Sequence, residues 1–60
     1  MAESLVYTQM NTGRKALVKD LADEWMVIRY NKDNEPYDTQ CFYSFHGADT
    51  FLKRLYYVAS

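Results

Sequence analysis

Six consecutive residues, Asn31-Lys32-Asp33-Asn34-Glu35-Pro36, constrain this chain more than any other stretch. Asn and Asp side chains hydrogen-bond their own backbone in turns, and proline fixes φ and ends a ladder, so this cluster marks a reversal of the chain. It lies between two apolar runs. The first, Trp25 to Tyr30, is dense in strand-forming residues, and the second, Tyr37 to His46, alternates with period two, so the spacing predicts a β-hairpin. Along the second run Tyr37, Thr39, Cys41, Tyr43 and Phe45 share one face, while Asp38, Gln40, Phe42, Ser44 and His46 share the other. The first set, with Met26, Ile28 and Tyr30, reads as the core face. Trp25, Val27, Arg29, Phe42 and His46 then point outward together, joined by Tyr7 from an earlier strand.

Elsewhere the signals are shorter. Ser4 to Met10 carries β-branched and aromatic residues and reads as a strand. Asn11-Thr12-Gly13 punctuates the chain, and Thr12 is placed to cap a helix from Arg14 to about Asp23, with Leu17, Val18, Leu21, Ala22 and Trp25 along one stripe. Gly47 is expected to break the last strand. A second helix, Ala48 to Ala59, aligns Ala48, Phe51, Leu52, Leu55, Tyr56 and Ala59, with Asp49 in its first turn. No repeat or linker interrupts the order. The fold class expected is therefore α+β, a small two-layer sandwich of (β)αββα order with two helices on one face of a two- or three-stranded antiparallel sheet, forming a single domain over residues 1–60.

Sixty residues bury only roughly 60% of their unfolded surface, so the stability margin is thin. The aromatic fraction of 17%, with two glycines and one proline, still supplies enough apolar surface to argue against disorder. Seven basic against eight acidic residues leave a net charge of −1, which removes the electrostatic footprint of a duplex-binding protein. A single cysteine, Cys41, cannot form an internal disulfide and suits a reducing compartment, so a cytoplasmic location is expected. Met1-Ala2-Glu3-Ser4 lacks a basic leader, and no window reaches the roughly 18 apolar residues of a membrane span.

The chemical inventory is sparse. Cys41 and His46 lie five apart on an expected strand and so on opposite faces, which leaves too few ligands for structural zinc and separates a Cys–His pair. Ser44, His46 and Asp38 share a face, but strand neighbours two apart stand about 6.6 Å from each other, and no glycine-rich nucleophile turn is present. Gly13 and Gly47 are isolated, so nothing cradles a phosphate. Neither enzyme activity nor a metal or cofactor is expected. Arg14, Lys15 and Lys19 fall at the amino end of the expected first helix and Asp23 and Glu24 at its carboxyl end, both against the helix dipole. Such a basic run is either a solvated face or a contact surface for an acidic partner.

The strand–helix–strand–strand–helix order, with aromatics on the strands, resembles at fold level the first five elements of an RNA-recognition-motif domain. That family's strand signature interleaves a basic residue and glycines with the aromatics, and Asp38-Thr39-Gln40-Cys41-Phe42-Tyr43-Ser44-Phe45 contains neither. Single-stranded nucleic-acid binding, with aromatics stacking bases and Arg29 and Lys32 on the backbone, is therefore the second expectation. The first is a non-enzymatic protein-binding module, an adaptor or inhibitor of the size often encoded by viruses and mobile elements. It is expected to dock on a larger protein through Trp25, Arg29, Phe42, His46 and Tyr7. A homodimer through the same face or through strand edges is also expected.

Overall fold

The computed structural model describes residues 4–60; residues 1–3, which carry most of the expectation about a leader, lie outside the described part. Five strands and one helix follow in order: β1 (Ser4–Gln9), β2 (Lys15–Asp20), β3 (Trp25–Tyr30), β4 (Pro36–Phe42), α1 (Phe45–Arg54) and β5 (Tyr57–Ala59). The strands form one sheet of order β4-β3-β2-β1-β5, and every neighbouring pair is antiparallel. The first four strands are a simple meander. The helix then carries the chain from the β4 edge to the opposite edge, where β5 pairs with β1. No helix among the described residues is long and apolar enough to cross a membrane.

This architecture corrects the expected two-helix sandwich: the protein is mostly sheet, with five strands and one short helix. The segment expected as the first helix is strand β2. Its Ala16 and Val18 are fully buried while Lys15, Leu17 and Lys19 alternate to the other side, a period of two rather than 3.6. Thr12, expected as a helix cap, sits instead in the β1–β2 turn, where its hydroxyl donates to the Gln9 side-chain carbonyl and accepts from the Arg14 amide at 3.2 Å. Gly13 takes φ +76° there, a left-handed conformation that glycine adopts without a Cβ penalty. The next turn is closed by Asp20, whose carboxylate accepts from the Ala22 amide at 2.9 Å.

The β3–β4 hairpin forms as its turn signal requires. The Asn31 side-chain oxygen accepts from the amides of Asp33 (2.9 Å) and Glu35 (3.0 Å), and Asn34 takes the left-handed φ of +66°. A bulge between Arg29 and Tyr30 leaves Tyr37 as the extra residue, since Tyr30 pairs with Pro36 and Arg29 with Asp38. β4 is shorter than the run expected, because Ser44 caps α1: its hydroxyl accepts from the Gly47 amide at 3.1 Å, which places Gly47 inside the helix rather than at a strand break. The helix also ends early. Tyr56 turns left-handed at φ +70°, and Tyr57–Ala59 joins the sheet instead of extending α1.

The core lies between α1 and one sheet face. Tyr7, Ala16, Val18, Val27, Ala48, Leu52 and Tyr57 are buried, with Trp25, Phe42, Phe51 and Leu55 packed around them.

Candidate functional site

Register assigns every strand residue to a face. Tyr7 opposes Ala16, which opposes Arg29, which opposes Asp38; Val18 opposes Val27, which opposes Gln40; Trp25 opposes Phe42. All of these belong to the face under α1. The grouping of Trp25, Val27, Arg29, Phe42 and Tyr7 on one side of the sheet is therefore as the alternation implied, but this is the covered side, not the open one. Tyr7 is only 1% exposed and Val27 is 0%. Trp25 meets Phe45 edge-on with ring centroids 5.2 Å apart, and Phe42 meets Phe51 at the same separation. His46 is on the helix, exposed. Conversely Thr39 and Cys41, expected in the core, are exposed on the open face, and Tyr43, 98% exposed, belongs to no strand.

Two sets of polar groups on the covered face are committed to one another. Both Nε and Nη2 of Arg29 lie 2.9 Å from the same Asp38 oxygen, and the guanidinium sits 5.3 Å from the rings of Tyr37 and Phe51. The Tyr7 hydroxyl donates to Asp49 at 2.8 Å, and Lys53 pairs with the other oxygen of that carboxylate at 2.9 Å. Burial, then the Asp49 carboxylate, pushes Tyr7 up to about 12. Hydrogen bonds from Lys53 and Tyr7 hold Asp49 below its ordinary range. Burial likewise raises Tyr57, whose hydroxyl is enclosed without a hydrogen-bond partner. These arrangements tie the helix to the sheet. The Ser44, His46 and Asp38 considered as a triad are apart in role: Ser44 caps α1, and Asp38 is held by Arg29.

The other face carries no helix. Its central row runs Val6, Leu17, Ile28, Thr39 across four strands, flanked by Met26 and Tyr30 on β3 and by Val58 on β5. Val6 is 45% exposed and Val58 43%, while Leu17, Met26, Ile28 and Tyr30 are half-buried by one another. Lys15 and Lys19 stand on β2 on either side of Leu17, and neither has a carboxylate partner within ion-pair distance among the described residues. The Lys15 ammonium donates to Thr8 at 3.1 Å. Toward the corner Glu24 lies beside Cys41 and raises that thiol above its ordinary value, chiefly through a hydrogen bond. In sequence Lys15 and Lys19 stand out through their wrong-way charge on an expected helix, whereas Val6, Leu17 and Ile28 form a row only when β2 takes the period of a strand.

A second surface lies on the flank of α1. An open groove of about 510 Å³ beside β4 is lined by Phe42, Phe51 and Leu55 with His46, Thr50 and Arg54. No three of His, Cys, Asp and Glu converge as metal ligands among the described residues. In comparisons with protein-family models, curated proteins and solved structures, the chain matches none.

Proposed function

We propose that the protein is a non-enzymatic binding module that docks on a larger protein, as an adaptor or inhibitor, through the open face of its sheet. The observation that carries this reading is the uncovered row Val6–Leu17–Ile28 set between Lys15 and Lys19. Exposed apolar surface of this kind is uncommon on a monomer unless something covers it, and two lysines at its borders, without carboxylate partners among the described residues, select a partner whose apolar patch is rimmed by carboxylates. The reading moves the docking surface from Trp25, Phe42 and Tyr7 to the opposite side of the sheet. It also weakens the nucleic-acid alternative, because the rings that would stack bases lie under α1, and Tyr30 is the strand aromatic left on the open face. An exposed free thiol at Cys41 fits work in the cytoplasm.

Affinity capture from a cell lysate, run in parallel with the parent protein and an Ile28→Ser/Leu17→Ser variant of confirmed fold, tests the reading. Proteins retained by the parent should be lost by the variant and released by salt. Equal retention by both would sink it.

A further inference from the structure

We propose that the outer edge of β4, with the adjoining groove on α1, captures an extended acidic peptide segment as a sixth strand. This goes beyond docking through the open face and uses different residues.

The two sheet edges are protected unequally. β5 offers only three residues, too few to template a strand, whereas β4 offers seven. Pro36 and the bulge at Tyr37 guard only the beginning of β4. Beyond them Thr39, Gln40 and Cys41 are exposed and uncharged, and the one charge on the strand, Asp38, is turned inward to Arg29. Lysines, the usual deterrent to strand addition, are absent from it.

A strand laid against this edge sends alternate side chains to the two sides of the sheet. On the helix side they enter the groove, whose floor is Phe42 and Phe51 and whose far wall is His46, Thr50 and Arg54. Phe42, the last residue of β4, is itself part of the groove's lining, so the groove adjoins the carboxyl-terminal end of the free edge. The floor accepts an apolar side chain. Arg54, which has no carboxylate partner among the described residues, then favours an acidic side chain two positions away on the same side of the peptide. Backbone pairing would supply affinity, and the groove specificity.

Selection from a phage-displayed random peptide library, followed by NMR titration of the winning synthetic peptide, tests this. Enriched sequences should alternate, with an apolar residue and Asp or Glu two positions apart. The peptide should perturb the amides of β4 and α1 while leaving the Val6–Leu17–Ile28 row unmoved. Arg54→Glu, which leaves an exposed helix position, should weaken binding by roughly tenfold or more, and Thr50→Trp, which fills the groove, should block it. The Ile28→Ser/Leu17→Ser variant should bind the peptide as the parent does, which separates this site from the open face. No enrichment, perturbation of the open face instead, or undiminished binding by both groove variants overturns the proposal. Concentration-dependent perturbation of β4 without peptide would give the edge to a second copy of the chain, and would overturn it equally.

Discussion

The two faces of the sheet differ less in composition than in what each residue touches. On the helix side Tyr7, Val18 and Val27 reach zero or 1% exposure because Ala48 and Leu52 of α1 close over them. On the other side Leu17 and Ile28 are just as apolar but lie between their strand neighbours with nothing above them. Burial by a covering layer, rather than the hydrophobicity of the strand, separates core from candidate interface. One ten-residue helix covers the centre of one face of a five-stranded sheet, and among the described residues no second element lies over the other.

The contrast is sharpest in paired truncations. Leu52→Ala should cost roughly 2–5 kcal/mol, enough to unfold a large part of so small a domain, whereas Ile28→Ala, with one side already in water, should cost about 1 kcal/mol. Chemical denaturation of the two variants measures both. Near-equal losses would mean that the open face is a second core and would remove the basis for docking there. Next in size is Tyr7→Phe, which deletes the hydroxyl bond to Asp49 and should cost about 1 kcal/mol in the same assay.

Titration probes the same contrast without mutation. Tyr7 is raised in the folded state to about 12, so its contribution is complete below its unfolded value near 10 and is lost as pH climbs through 12. In a spectrophotometric titration of the folded protein, Tyr7→Phe should remove a late ionisation step near the alkaline end of the curve. If Tyr7→Phe leaves the alkaline end of the curve unchanged, the helix does not shield this face as described. The smallest effect is at acid pH. Asp49 is depressed, so its contribution is present above its unfolded value and fades as pH falls through the lower folded one. Asp49→Asn should flatten the acid limb of the stability curve.

Much of the β3–β4 hairpin was legible because Asn31 and Asn34 perform in the turn what their chemistry favours. The β2 strand was not. Ala16-Leu17-Val18 is too short a run to separate a period of two from one of 3.6, and Leu21, Ala22 and Trp25 continued the helical stripe by coincidence. The better clue was electrostatic: a helix with Arg14 and Lys15 at its start and Asp23 at its end would oppose its own dipole, and in the sheet that conflict disappears. The helix ending at Arg54 lacks a glycine stop, and Tyr56 supplies the left-handed turn that a reader of sequence assigns to glycine. As for the site, alternation says which residues share a face, but which face is covered depends on where α1 lies, a matter of tertiary packing that no local pattern records. That is why Trp25, Arg29, Phe42 and Tyr7 were grouped correctly and placed on the wrong side.

The crossing of α1 from one edge of the sheet to the other also orders events in time. Strands β1 to β4 are joined by short turns, so each pairing closes a small loop and can form early. The pairing of β5 with β1, secured at its end by the hydroxyls of Thr8 and Ser60, joins positions 52 apart and must wait until the meander exists and the helix has settled on it. The last strand is therefore a latch, closing after the rest and opening before it. Amide exchange at Val58 and Ser60, whose amides face β1, should run ahead of global unfolding while Val18 and Val27 exchange only with it.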